Sequence, residues 1–145
     1  MRIWNWPIFS RLTSQLAAWR SKYFPPLSLG QRGERLAARY LRRKGYIIIA
    51  RGHRDHFGEI DLIAVDGRTV VFVEVKTRTD QDAGHPADAV DLDKQRRLTR
   101  AAKAYRQRHD LHEVSMRFDV IAITWPPGSK QPLVEHFQNA FEATD

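Results

Sequence analysis

Residues Gly58–Arg78 read GEIDLIAVDGRTVVFVEVKTR. Two apolar runs flank Asp66-Gly67, and Asp-Gly between such runs is a strong short-range signal for a β-hairpin. A two-residue turn at Asp66-Gly67 pairs Val65 with Arg68, Ile63 with Val70, Asp61 with Phe72 and Glu59 with Glu74. Side chains alternate faces along a strand, and directly opposed residues share a face. One face then carries Ile60, Leu62, Ala64, Val71, Val73 and Val75. The other gathers Glu59, Asp61, Glu74 and Lys76 at the end away from the turn. Three carboxylates crowded there repel one another and contribute nothing to folding. Lys76 alone does not balance them, so the cluster calls for a further cation.

The surrounding chain sets bounds on that cation and on any partner. Its 145 residues suit one domain with a real core, and 42% hydrophobic content with four Trp argues against disorder. Cysteine is absent, which excludes disulfides and thiolate metal sites. No apolar run approaches the roughly 20 residues that span a bilayer, and a cytoplasmic location is expected. The net charge of +7 points to a polyanionic partner, nucleic acid before an anionic membrane surface.

Upstream of the hairpin, Ser28-Leu29-Gly30-Gln31 forms a capping box that opens a helix. Leu36, Ala37, Tyr40 and Leu41 are its apolar stripe, and Gly45 suits the C′ position. Tyr46–Ala50 (YIIIA) reads as a short buried strand, and Arg51–Phe57 (RGHRDHF) as a polar connection. Residues 1–27 stand apart as a basic amphipathic extension to an expected domain over residues 28–145. There Ile8, Leu12, Leu16, Trp19 and Tyr23 recur at helical spacing before a Pro25-Pro26 stop. The extension has Arg2, Arg11, Arg20 and Lys22 and no acid. It suits a membrane surface, a protein contact, an organelle transit peptide or a plain appended helix.

Downstream, Thr79–Pro86 is a loop with Gly84 and Pro86 as breakers. A helix follows from Asp88 or Asp91 to about His109, with Val90, Leu98, Ala101, Ala102 and Tyr105 inward. Lys94, Arg96, Arg97, Arg100, Lys103, Arg106 and Arg108 lie on it with no acid among them. A solvated helix ordinarily mixes signs to gain i,i+4 pairs. A single-sign run is better matched to a phosphate backbone, although long basic stems also snorkel around a buried helix. Met116–Thr124 is a further strand, Trp125–Pro132 a loop, and Leu133–Phe137 an edge strand. The order helix, three strands, helix, strand predicts an α/β fold with a central mixed sheet flanked by helices.

In this register Asp61 and Glu74 are diagonal neighbours. Two carboxylates with no sulfur in reach are hard donors that suit Mg²⁺ or Mn²⁺, and the Val75 carbonyl offers a third oxygen. Lys76 emerges on the Glu74 face, where an ammonium positions water or stabilises charge developing on a phosphate. With a metal, that set matches the needs of phosphodiester hydrolysis. Glu-x-Lys alone is a common surface-strand pattern. An Asp across a predicted turn from it, backed by an apolar face, is much rarer. His53, Asp55 and His56 fit no recognised zinc spacing, and His109, His112 and His136 read as structural or exposed.

The motifs GERLAARYLRRKGY, GEIDLIAVDG, VFVEVKTR, the region after His85-Pro86, RFDVIAI and the final NAF resemble the YraN-like bacterial proteins. That uncharacterised family is similar to PD-(D/E)xK nucleases, and the resemblance runs from about Gly30 to about Phe141. It implies a restriction-endonuclease-like core of order αβββαβ and a nuclease acting on DNA with Mg²⁺ or Mn²⁺. It makes Asp61 the metal-binding Asp, Glu74 the second acidic ligand and Lys76 the catalytic lysine. Glu34 corresponds to an accessory acid near the metal, or is an ordinary first-turn Glu favoured by the helix dipole. Glu59 is a further ligand or, preferably, a salt-bridge partner of Arg51 or Arg54. Lys94 and Gln95 are placed to approach the scissile phosphate or to be solvated, with Arg97 and Arg100 on the same basic helix.

Gly52 departs from the family, whose members commonly carry Asn there. Residues 1–27 lie outside the resemblance. Fold is shared more widely than function, so a non-catalytic nucleic-acid-binding or accessory protein is the alternative expectation. No segment reads bases, which favours recognition of DNA structure over sequence. A homodimer would suit a small nuclease that cuts both strands.

Overall fold

The computed structural model describes residues 6–79 and 90–144, with side chains from residue 14 onward. Gly84, His85, Pro86 and the alternative helix start at Asp88 lie outside them. Helix α1 runs from Trp6 to Tyr23, and α2 from Leu29 to Arg43. The expected capping box at Ser28 is complete: its Oγ accepts from the Gln31 N–H, while Gln31 Oε1 accepts from the Ser28 N–H. Gly45 at φ 91° ends α2 in the left-handed region. Five strands and one more helix follow: β1 (Ile47–Asp55), β2 (Gly58–Asp66), β3 (Thr69–Arg78), α3 (Leu92–Arg108), β4 (Ser115–Thr124) and β5 (Leu133–Phe141).

The strands form one mixed sheet in sequence order. Pairing is antiparallel except between β3 and β4, where the chain returns through α3 and the strands run parallel. Helix α2 covers one face with Ala37, Ala38 and Leu41 against Leu62, Ala64, Val71, Val73, Ile121 and Ile123. Helix α3 covers the other with Leu98, Ala101, Ala102 and Tyr105 against Ile63, Val70, Phe72, Phe118 and Val120. Both faces of the central strands are dry, which explains their nearly continuous apolar runs.

Four expectations are corrected. The hairpin pairs Asp66 with Thr69, Val65 with Val70, Ile63 with Phe72 and Leu62 with Val73, so its loop is Gly67-Arg68 rather than Asp66-Gly67. Gly67 takes φ 58° and carries the left-handed conformation of the turn. This slip of two residues leaves side chains on their expected faces, because strand alternation has period two. Ile60 is the exception: it packs with the α3 cluster, whereas Leu62 and Ala64 pack with the α2 cluster. Strand β1 continues through Asp55, absorbing most of the expected polar connection. Strand β5 extends four residues beyond Phe137. Asp91 is the N-cap of α3, its Oδ1 accepting from the Lys94 N–H.

Candidate active site

The break in alternation between Ile60 and Leu62 falls at Asp61. Neither ladder pairs it: β1 contacts β2 through Arg51–Leu62 and His53–Ile60, and the β2–β3 ladder ends at Leu62–Val73. Opposite the gap, Gly52 adopts φ 57°, a region that Gly enters freely and Asn tolerates better than most side chains. The departure from Asn at this position therefore preserves the backbone shape. With the strand turned there, Asp61 points across to β3. Its Oδ2 accepts from the Val75 N–H at 2.7 Å, and the two-residue slip brings Asp61 level with Glu74 instead of Phe72.

Glu74 is 5% exposed. Its Oε1 lies 3.1 Å from Lys76 Nζ and 3.3 Å from Lys94 Nζ, while Oε2 is buried without a partner among the described residues. Lys94 arrives from the first turn of α3, on the same face of the sheet as Glu74. Burial is the largest influence on Asp61 and raises its carboxyl pKa. Glu74 and, more weakly, Glu34 add repulsion, while the Val75 N–H and Lys94 oppose it. The outcome is a pKa pushed up to about 7.

Glu34 approaches from the start of α2. Gly33 makes that approach possible, because a Cβ there would overlap Thr77 Oγ1 on β3. Burial followed by repulsion from Glu59 raises the Glu34 pKa, with Arg51 lowering it and Glu74 adding a further push. Glu59 is held by Arg54 at 3.0 Å, the expected salt-bridge role.

The donor set fits a small hard cation. Two carboxylates share a poorly solvated corner, and one buried Glu74 oxygen has no hydrogen-bond donor among the described residues. The Val75 carbonyl projects from the same edge of β3 as its N–H, hence towards Asp61. Among the described residues no three His, Asp or Glu side chains form a metal cage by themselves. Asp61, Glu74 and the Val75 carbonyl would therefore leave coordination positions to water or a substrate oxygen, the usual arrangement for Mg²⁺.

The model of the uncharacterised protein family UPF0102 matches residues 33–123, which take in α2 from Gly33 through β4. This chain belongs to that family. A UPF0102 protein of Rhodopirellula baltica is 52% identical over 118 residues, covering 79% of this chain and 71% of the relative. One from Geobacter sulfurreducens is 51% identical over 115 residues, with 79% and 88% covered. A third, from Chlorobium limicola, is 46% identical over 120 residues, with 80% and 93% covered.

Within the UPF0102 fold the basic helix divides its labour. Lys94 joins the carboxylates. Gln95 turns back to donate to the Val90 carbonyl at 2.9 Å. Arg96 pairs with Asp93 at 3.3 Å. Arg106 donates to the carbonyls of Leu111, His112 and Val114 and so ties down the turn before β4. Arg97 lines a small cleft with Gly58, Glu59 and Lys94, and Arg100 is exposed. Sequence reasoning gave Arg35 no role and Arg51 only a salt bridge. Both line an open depression of about 410 Å³ with Gln31, Glu34 and Gly52 on the other flank of the site. Their separation by a helix and a loop left no spacing signal.

The UPF0102 core also holds a polar cluster that the sequence concealed. Asp119 is fully buried on β4. It accepts from Arg117 Nε at 2.9 Å, the Asn139 N–H at 3.0 Å and, from Arg117 Nη2, at 3.2 Å. His136 Nε2 lies 2.8 Å from Oδ2, and Arg117 also bridges to Asp66 at 3.0 Å and donates to the Tyr46 hydroxyl at 2.8 Å. The β4–β5 register shift between Phe118 and Val120, with Asn139 at φ 49°, delivers that backbone N–H. Of the two readings open for His136, structural or exposed, the structural one holds. His53 packs edge-on against Tyr105.

Proposed function

We propose that this UPF0102 protein is a divalent-cation-dependent nuclease that hydrolyses DNA phosphodiester bonds and recognises DNA structure rather than sequence. The observation that carries the reading is the convergence of Asp61 and Glu74 at the break in β2, with Lys76 and Lys94 both on Glu74 Oε1. The order from α2 to β4, helix–three strands–helix–strand, is also the one implied by the PD-(D/E)xK resemblance. That agreement supports a restriction-endonuclease-like core.

Asp61, Glu74 and the Val75 carbonyl would hold Mg²⁺ or Mn²⁺. The chemistry such a cation supplies when bound is polarisation of a phosphoryl oxygen and activation of water. Lys76, partly open to solvent and oriented by Glu74, places an ammonium where charge develops on the scissile phosphate. Glu34 adds negative potential from α2 and orients water by hydrogen bonding. Arg97 and Arg100 on one flank and Arg35 and Arg51 on the other offer cations to the DNA backbone, while Lys94 and Gln95 would reach a phosphate only by leaving Glu74 and the Val90 carbonyl.

The test offers linear, branched and single-stranded DNA to the purified protein with Mg²⁺ or Mn²⁺, beside Asp61→Ala and Lys76→Ala variants. Wild type is expected to cut at least one substrate, and each variant to lose about 100-fold or more. DNA binding should persist in the variants and weaken steeply with salt. Cleavage of none of the substrates, or equal cleavage by the variants, refutes the nuclease reading. Salt-dependent binding without cleavage would favour a non-catalytic nucleic-acid-binding role.

A further inference from the structure

We infer that α1 is a surface-seeking helix that lies on an anionic lipid bilayer, independently of any nuclease activity. Helical spacing puts positions 8, 12, 16, 19 and 23 on one stripe, occupied by Ile, Leu, Leu, Trp and Tyr. From residue 14 onward this stripe is exposed. Leu16 is 63% exposed, Trp19 56%, Tyr23 59% and the adjoining Phe24 67%. The Trp19 ring lies 5.2 Å from that of Tyr23 and 6.2 Å from that of Phe24, so the exposed groups form one aromatic cluster.

Charge identifies the occupant. Arg20 borders the stripe on one side and Lys22 on the other, with position 11, an Arg, on the Lys22 border. Ser10, Ser14 and Ser21 fall opposite the stripe, and the helix has no acid. Cations at the apolar–polar boundary reach headgroup phosphates while Trp and Tyr occupy the interfacial layer. A protein groove or second copy would meet the apolar stripe equally well, but a second α1 would bring cations against cations. Among the described residues no helix is long and apolar enough to cross a membrane, so the geometry suits a helix lying in the interface.

The experiment uses the full chain in vesicle co-sedimentation. One set of vesicles is pure phosphatidylcholine; the other contains roughly one third phosphatidylglycerol. Compared with wild type are Leu16→Ser/Trp19→Ser, which keeps every charge, and Arg20→Gln/Lys22→Gln, which keeps the apolar stripe. Wild type should prefer the anionic vesicles, and each double variant should lose roughly tenfold in partitioning, with the far-ultraviolet circular dichroism of the core retained. Persistent binding by the Leu16/Trp19 variant would assign the attraction to the basic domain surface and overturn the inference. Equal binding of wild type to both vesicle types would overturn the anionic preference. Sedimentation showing a dimer that the Leu16/Trp19 variant dissolves would assign the stripe to a second copy instead.

Discussion

Replacing Asp61 by Asn should stabilise the cation-free protein, and by more as pH rises. Asn keeps an oxygen to accept the Val75 N–H but removes the charge that burial and Glu74 oppose. A carboxyl raised from 3.8 to about 7 in the folded state binds its proton more tightly there than in the unfolded chain. Its contribution is therefore fully present below the unfolded value and is lost as pH rises through the folded one. At 1.36 kcal/mol per unit, ionised Asp61 costs about 4 kcal/mol near pH 8, falling to about 2 kcal/mol near pH 5 and less below it. Asn experiences none of that dependence. Urea unfolding of both proteins in the presence of a chelator, from pH 4 to pH 8, should show a gap widening by about 2 kcal/mol above pH 5. Adding Mg²⁺ should narrow the gap by stabilising wild type alone. A constant gap across pH, or an Asn variant less stable at pH 8, would refute the argument that the folded protein holds this carboxylate under electrostatic stress.

Two further outcomes test the supporting structure. Asp119→Ala removes the acceptor shared by Arg117, His136 and the Asn139 N–H and should cost about 3–5 kcal/mol in urea unfolding. Burial pushes the Asp119 pKa up, but the hydrogen bonds from His136 and Arg117 and the Asn139 N–H outweigh it and hold it below 3.8. The stabilisation is thus present above that value and is lost as pH falls through the folded pKa, so the variant should lack that part of wild type's acid sensitivity. Gly33→Ala drives a methyl into Thr77 Oγ1 and should lose about 1–3 kcal/mol, partly regained in Gly33→Ala/Thr77→Ala; thermal melts without that rescue would reject the close-approach argument.

Legible in the residues alone were the two helices that sandwich the sheet, the capping box at Ser28, the hairpin, and the nearness of Asp61, Glu74 and Lys76. A slip of two residues preserves strand parity and so kept Glu74 and Lys76 on their expected face, whereas Asp61 reaches them through the break in alternation between Ile60 and Leu62. The slip mattered only for which residue stands beside Asp61, and turn chemistry at Gly67-Arg68 decided that. Lys94's place on Glu74 and the Asp119 cluster were not legible, since each joins segments far apart in the chain. Only the family motif points to Glu34, and its route past Thr77 by way of Gly33 came from the fold. The depth of the carboxylates was equally hidden. A hairpin pattern shows that Asp61 and Glu74 share a face, whereas the packing of α2 and α3 on opposite faces removes the water that would otherwise screen them. Tertiary structure alone supplied that burial, and burial is the largest influence raising Asp61 to about 7 and encloses a Glu74 oxygen that has no partner among the described residues.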